Sequence, residues 1–295
     1  MTSFYLSFPN DILIQFKSSL DLDLDDRART LLEAYAPGIN LISETSLTPN
    51  VIIEHDQSGD KKLVRSENRV LISDVWEKEL PLDFYHLLYS IVRVELMKHN
   101  LFSVHAACVG KDGYILIVGH TGVGKTSIVL ELLKNRGLLM LSGNKTVVSF
   151  KQDGLEAIAG TSTLTAHQKD IERHLGETET ISYGGRAALK PKGSTNKPGL
   201  VKAIVIASLN DGVAENNLIE PISALHRLYP YFLDTVNADT IMCDGKAVYV
   251  GAPSPGTQEK LAQQLHESLS EIPTYSISGS INFVCDSIIK EYEKA

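Results

Sequence analysis

A run of eight residues near the middle of the chain combines glycines, a lysine and a hydroxyl group at spacings that suit phosphate binding. The run and the residue after it are Gly119, His120, Thr121, Gly122, Val123, Gly124, Lys125, Thr126 and Ser127. It fits the P-loop pattern G-x-x-x-x-G-K-[ST] at every fixed position. In such a loop, glycines let successive backbone N–H groups turn toward one anion. We expect Lys125 to reach the β- and γ-phosphates of a nucleoside triphosphate, and the Thr126 hydroxyl to ligate Mg²⁺.

The segments on both sides of this run have the patterns that a P-loop requires. The apolar residues 114–118 predict a buried strand, and residues 127–134 predict a helix. A helix that starts at the loop adds partial positive charge at its N-terminus, which favours a bound phosphate. A glycine turn without a ligand is the alternative, but the two flanking elements together favour nucleotide binding.

The composition is that of a globular protein, and it argues against several functional classes. Of the 295 residues, 43% are hydrophobic and 22% are charged, which allows one large domain or two moderate ones. The net charge of −8 argues against a nucleic-acid partner, because binding a phosphate backbone needs a basic surface. Three widely spaced cysteines indicate neither a metal site nor a disulfide scaffold. Without a signal-peptide pattern or a bilayer-length apolar stretch, we expect a cytoplasmic protein with no membrane partner.

The periodicity along the chain predicts two α/β domains. Residues 1–80 are expected to form a small domain, and residues 81–295 a larger one that carries the P-loop. A strand over 102–109 contains His105 and is predicted to form a tight hairpin with the P-loop strand. Further strands are predicted over 12–16, 51–54, 62–65, 70–72, 138–141, 146–150, 155–158, 203–207 and 247–250. Further helices are predicted over 28–35, 82–98, 223–233, 257–269 and 282–292.

The order of features around the P-loop resembles one known group of proteins. The triplet His105-Ala106-Ala107 precedes the P-loop strand, and the pair Arg136-Gly137 ends the P-loop helix. This arrangement, over roughly residues 102–150, resembles the catalytic domain of HPr kinase/phosphorylase and its wider group, related to ATP-dependent phosphoenolpyruvate carboxykinase. The resemblance implies an α/β fold with a P-loop mixed-sheet domain. It also implies ATP, with GTP as an alternative, and Mg²⁺ as cofactors, and kinases of this type are often homo-oligomers.

One departure from that group concerns the residues after the next strand. The group carries two adjacent aspartates there, one of which serves as general base or metal partner. This chain has Ser142, Gly143, Asn144 and Lys145 instead. Asn144 offers a carbonyl oxygen to a metal-bound water, but it cannot accept a proton at neutral pH. Lys145 could contact a phosphate.

Three interpretations of this departure stay open. His105, or less well His120, could supply the base, since the unperturbed pKa of histidine is about 6.5. The acceptor could instead be a carboxylate or phosphate, which needs no base at pH 7. The protein could also bind nucleotide without turnover. A general base contributes about 10²- to 10⁴-fold in rate, so its loss impairs a kinase that acts on hydroxyls without abolishing nucleotide binding.

The intact P-loop favours an ATP- and Mg²⁺-dependent kinase that transfers the γ-phosphate to a small-molecule or peptide acceptor. Lys125, His105 and Asn144 are the predicted catalytic residues. The alternative, favoured by Gly143 and Asn144, is a non-catalytic nucleotide-binding sensor or accessory protein. Arg186 is a candidate for neutralising transition-state charge, and the basic residues 189–199 could form either a surface loop or a lid. The acids considered for Mg²⁺ or acceptor activation are Glu131, Glu156, Asp211 and Asp244.

Overall fold

The chain folds into two large β-sheets with helices packed against them, in a computed structural model. The structure describes residues 2–57, 62–175, 179–183, 185–234, 240–243, 246–249 and 254–294. The predicted α/β class is confirmed, and both large sheets mix parallel and antiparallel pairs. Across these residues, every helix is too short or too polar to cross a membrane.

The first sheet has six strands in the order β3-β1-β2-β4-β6-β5. Its elements, with one helix, are β1 (Thr2–Phe8), β2 (Ile12–Ser18), α1 (Asp26–Tyr35), β3 (Asn40–Ile42), β4 (Val51–Asp56), β5 (Lys62–Arg65) and β6 (Arg69–Ser73). The predicted strands and helix of this region are present, and β1 and β3 are additional. In β1 the buried residues Phe4, Leu6 and Phe8 alternate with more exposed ones, which is the period of a strand with one buried face.

The rest of the chain forms a nine-stranded sheet, two smaller sheets and six helices within the described residues. The elements are α2 (Leu82–Lys98), β7 (Leu101–Val104), β8 (Ala106–Lys111), β9 (Gly113–Val118), α3 (Lys125–Arg136), β10 (Leu139–Ser142), β11 (Thr146–Lys151), β12 (Gly154–Gly160), β13 (Leu164–Ala166), α4 (Gln168–Leu175), β14 (Ile181–Tyr183), β15 (Arg186–Leu189), β16 (Gly199–Leu209), β17 (Glu215–Ile219), α5 (Pro221–Phe232), β18 (Thr240–Cys243), β19 (Lys246–Tyr249), α6 (Pro255–Leu269), β20 (Thr274–Gly279) and α7 (Ile281–Lys294). The predicted strand over 247–250 corresponds to β19, with residue 250 outside the described residues.

The P-loop strand β9 lies inside the nine-stranded sheet. The main strand order is β10-β8-β9-β16-β12-β11-β7, and β20 and β17 extend it beside β16. Strand β9 pairs antiparallel with β8, as the hairpin prediction requires, and parallel with β16. Its side chains alternate between two cores: Leu116 packs on the side of α5 and α6, and Ile117 on the side of α3 and α7. Burial on both faces explains the uninterrupted apolar run of this strand.

The predicted strand over 102–109 is wrong in one respect, because the chain bends at His105 and forms two strands. Strand β7 pairs with β11, whereas β8 pairs with β9 and β10. The backbone N–H of His105 donates to the carbonyl oxygen of Tyr231, 3.0 Å away, and not to a neighbouring strand. The break is invisible in the sequence because the residues on both sides are apolar and buried.

Helix α2 connects the two large sheets. Its observed bounds coincide with the predicted range 82–98. The Phe84 ring packs edge-on against Phe16 of β2, with ring centroids 5.0 Å apart. The core that α2 shares with the first sheet also includes Val147 of β11 and Tyr183 of β14. The predicted boundary after residue 80 therefore lies within a shared hydrophobic core.

Candidate functional site

The P-loop connects β9 to α3, and its glycines occupy positions that other residues fit poorly. Gly124 has a φ of 95°, and a Cβ added there would lie 2.4 Å from Cδ1 of Leu209 on the neighbouring strand β16. A Cβ on Gly119 would lie 2.9 Å from the carbonyl oxygen of Ala207 on the same strand. The loop is tied to β16 by the Leu209 N–H, which donates to the Val123 carbonyl oxygen at 2.9 Å. Close packing on β16 thus fixes the path of the loop.

Lys125 is the first residue of α3, and its side chain is buried against the loop. The Nζ atom donates to the carbonyl oxygens of Gly119, at 2.6 Å, and His120, at 3.1 Å. Burial lowers the pKa of Lys125 to about 8, while the carboxylate of Asp234 acts in the opposite direction. A lysine with this pKa is mostly protonated at neutral pH, so the loop encloses a positive charge.

The loop forms one wall of a cavity of about 730 Å³, a size typical of small-ligand sites. The P-loop residues that line it are Thr121, Gly122, Gly124, Lys125, Thr126 and Ser127. The other loop residues, Gly119, His120 and Val123, are not among those that line the cavity. The His120 side chain is exposed, and its ring centroid lies 5.5 Å from that of Tyr231. The other walls include Tyr35 of α1, residues Asp83, His86 and Tyr89 of α2, His105, Asn144, Lys145, Asp170, Tyr183 and Arg186.

The segment 142–145 contributes Asn144 and Lys145 to the cavity, and Thr161 holds it in place. The backbone N–H groups of Asn144 and Lys145 both donate to Thr161 Oγ1, at 3.1 and 3.3 Å. The Gly143 N–H donates to the Thr161 carbonyl oxygen at 3.0 Å. A Cβ on Gly143 would lie 2.7 Å from Cδ2 of Leu164, so an aspartate at this position would require the Leu164 side chain to shift.

Lys145 is a second buried lysine on the cavity wall. Its Nζ atom lies 2.9 Å from the centroid of the Tyr89 ring, a cation–π contact, and 3.4 Å from the Tyr35 carbonyl oxygen. The Tyr89 hydroxyl donates to the buried carboxylate of Asp234 and lies 3.0 Å from Ser103 Oγ. Helices α1 and α2 thus position a residue of the loop between β10 and β11.

His105 lies at the floor of the cavity and is 3% exposed. Burial first, and then the nearby charges of Lys125, Lys145 and His120, together lower its pKa to about 3. The imidazole is therefore neutral at pH 7 and weakly basic. His105 lines the same cavity as Lys125, but a pKa this low disfavours His105 as a general base.

Most acids singled out in the sequence lie elsewhere. Glu131 accepts a hydrogen bond from Asn135 at 2.5 Å, Glu156 pairs with Lys151 at 3.7 Å, and Asp211 belongs to an exposed turn. Asp244 lies outside the described residues. The carboxylates that line the cavity are Asp83 and Asp170, both in first helical turns. Acids at helix starts are common for local reasons, so no sequence pattern distinguished these two residues.

Two other candidates have clear positions. Arg186 lines the cavity, where its Nη2 donates to the Thr165 carbonyl oxygen at 3.2 Å. The basic segment 189–199 instead follows β10: the Met140 N–H donates to the Gly193 carbonyl oxygen at 2.9 Å, and the Thr195 N–H donates to the Met140 carbonyl oxygen at 2.8 Å. These bonds favour an anchored surface segment over a lid.

A metal ion at this site would depend on few protein ligands. In the described part of the chain, no three His, Cys, Asp or Glu side chains cluster as a metal site. Thr126 lines the cavity next to Lys125, where its hydroxyl can face a bound phosphate. The residues present therefore fit Mg²⁺ held by one hydroxyl, nucleotide oxygens and water, which is the usual coordination of this ion in phosphate sites.

No family profile and no curated protein matches this chain. Solved structures that resemble it include the Hpr(Ser) kinase/phosphatase from Coxiella burnetii, at 12% sequence identity and a TM-score of 0.30. That likeness covers 65% of this chain and 93% of the other. A similarity at this level carries no information on the function of this chain.

Proposed function

We propose that this protein binds Mg·ATP at residues 119–127 and transfers the γ-phosphate to a small-molecule or peptide acceptor in the adjoining cavity. The observation that carries the proposal is the position of Lys125, buried within a glycine loop that opens onto a cavity large enough for a ligand. A loop for phosphate binding alone does not need such a cavity. GTP is the alternative nucleotide.

The roles of the residues follow from their chemistry. Lys125 would exchange its two carbonyl partners for the β- and γ-phosphates, and the backbone of residues 122–125 would cradle the β-phosphate. Thr126 would hold Mg²⁺, which neutralises charge on the phosphates when bound. Asn144 faces the cavity and can donate its amide N–H to an acceptor or a water.

A nucleotide-binding sensor is the second candidate. The observation that favours it is the chemistry of the cavity floor, where Asn144 cannot accept a proton and the pKa of His105 is lowered to about 3. A protein that binds nucleotide without turnover needs no base at this place.

A transfer assay separates the two functions. The purified protein is incubated with γ-labelled ATP, Mg²⁺ and a small-molecule cell extract, and labelled products other than free phosphate are measured. The test variant is Lys125→Met. The matched control is Lys134→Met, because Lys134 is an exposed lysine of the same helix whose Nζ donates to the His174 carbonyl oxygen.

Transfer by the wild type and Lys134→Met, with a loss of at least ~100-fold in Lys125→Met, is the expected result. ATP binding without transfer or hydrolysis would favour the sensor. Equal transfer by Lys125→Met and wild type would overturn the proposed role of the loop.

A further inference from the structure

The positively and the negatively charged side chains around the cavity differ in how deeply they are buried. At its floor, the ammonium-bearing residues Lys125 and Lys145 are only 8% and 4% exposed. The carboxylates of Asp83 and Asp170, in contrast, are exposed and lie at its rim. The deep part of the cavity therefore has positive charge, in a protein whose net charge is −8.

The charges of the two buried lysines both act on His105, and different elements hold the two lysines in place. Charges on Lys125 and then Lys145 both lower the pKa of His105, after burial as the main cause. Lys125 is held by the P-loop, whereas Lys145 is held by the Tyr89 ring and the Tyr35 carbonyl oxygen. The nucleotide phosphates would contact Lys125. Lys145 would then be a second cation in the cavity, next to the bound nucleotide.

Arg186 is a third cation on the same wall as Lys145. Burial raises the pKa of Tyr35 and the charge of Arg186 lowers it, so the guanidinium lies near Tyr35. The Lys145 ammonium also contacts this tyrosine, 5.7 Å from its ring centroid and 3.4 Å from its carbonyl oxygen. The buried carboxylate of Asp234 accepts a hydrogen bond from the Tyr89 hydroxyl and its charge acts on Lys125, but it is not one of the residues that line the cavity. The cavity-facing charges on this wall are therefore mainly positive.

We infer that the acceptor site binds an oxyanion, namely a carboxylate or phosphate group of the second substrate, through Lys145 and Arg186. The inference rests on the proposed phosphate transfer and narrows its substrate class. Ammonium and guanidinium groups donate charge-assisted hydrogen bonds to both kinds of oxyanion.

The chemistry of an oxyanion acceptor matches the groups at the cavity floor. One oxygen of the acceptor forms a bond to the γ-phosphorus of ATP, the bond from that phosphorus to the β,γ-bridging oxygen breaks, and ADP leaves with the electron pair. No proton has to be removed, because the attacking oxygen is already charged. A hydroxyl acceptor would lose a proton, yet His105 is a weak base and Asn144 accepts none.

A binding experiment tests the site without turnover. The P-loop is filled with Mg²⁺ and a non-hydrolysable ATP analogue, and inorganic phosphate is titrated by calorimetry. Phosphate is expected to bind the wild type and the control Lys134→Met equally, and to bind Lys145→Met and Arg186→Gln at least ~10-fold more weakly. Arg186 is exposed, so its variant keeps the test valid if Lys145→Met does not fold. Absence of phosphate binding, or equal affinity in all four proteins, would overturn the inference.

The chemical stability of the transferred label gives a second test. In the transfer assay, label on a carboxylate is released by neutral hydroxylamine, and label on a phosphate resists hydroxylamine but is lost in hot acid. Either outcome supports an oxyanion acceptor once phosphorus NMR of the product has excluded a nitrogen-linked phosphate, which is also lost in acid. Label that survives both treatments is an ester, which would overturn the inference and leave the proposed kinase intact. Absence of any transfer would count against the kinase alone, and the binding experiment would still decide the acceptor site.

Discussion

At the scale of single residues, two buried lysines define the site, and the sequence identified them unequally. Lys125 belongs to the P-loop pattern, whose fixed positions are set by the conformation of the loop backbone. Its position could therefore be predicted from the spacing of the residues alone. Lys145 belongs to no such pattern, and its contacts with Tyr35 and Tyr89 come from two helices that are distant in sequence. Asp83 and Asp170 were missed for the same reason, because only the tertiary fold brings them to the cavity.

The lowered pKa of Lys125 predicts that nucleotide binding takes up protons. With a pKa of about 8, half of these lysines are neutral at pH 8 in the free protein. Bound phosphates stabilise the charged form and raise the pKa, so binding should take up about half a proton at pH 8 and almost none at pH 6. Calorimetry at each pH in two buffers with different ionisation enthalpies measures this uptake. Identical heats in the two buffers at pH 8 would contradict the pKa assigned to Lys125.

At the scale of elements, β9, the loop and α3 agree with their prediction because their sequence signals are local. The strand prediction over 102–109 was wrong at His105, since the change of partner strand depends on β11 and β9, which lie further along the chain. In the sequence, the segment 142–145 was singled out only because it lacks an expected pair of aspartates. Its conformation depends on Thr161, which accepts two backbone N–H groups and sits far away in sequence.

This dependence on Thr161 can be tested with a pair of isosteric substitutions. Thr161→Val removes the acceptor of the Asn144 and Lys145 N–H groups, and we expect a loss of about 1–3 kcal/mol in the free energy of unfolding. Thr163 is equally buried, but its Oγ1 has no hydrogen-bond partner among the described residues. Thr163→Val should therefore be neutral or slightly stabilising. Urea denaturation compares the two variants, and an equal loss in both would argue against the role of Thr161.

At the scale of the whole molecule, the first sheet and its helix complete the site on the second. The Tyr35 carbonyl oxygen of α1 accepts from Lys145, and the Glu33 carboxylate accepts from Ser162, at 2.8 Å, and Lys190, at 3.1 Å. The predicted division into residues 1–80 and 81–295 stays a prediction. The sequence could not show that a hydrophobic core spans this boundary, because the pattern of α2 is that of any apolar helix and does not indicate what packs against it.

The shared core predicts that the whole chain unfolds as one cooperative unit. Trp76, the one tryptophan of the chain, lies in the core that α2 shares with the first sheet. Its ring packs against Phe84 and stacks on His55, with the ring centroids of Trp76 and His55 3.7 Å apart. Its fluorescence therefore reports on the first sheet, while far-ultraviolet circular dichroism reports on all elements. We expect the two urea transitions to coincide. An earlier transition in fluorescence would instead indicate that residues 1–80 form an independent domain.

The claim on which the other proposals depend is that the loop around Lys125 binds a nucleoside triphosphate. Calorimetric titration of the purified protein with Mg·ATP, and in parallel with Mg·GTP, tests it most directly. We predict saturable binding of at least one of the two, weakened at least ~10-fold in Lys125→Met and unchanged in Lys134→Met. No heat and no thermal stabilisation with either nucleotide, or equal affinity in the Lys125 variant, would contradict the account.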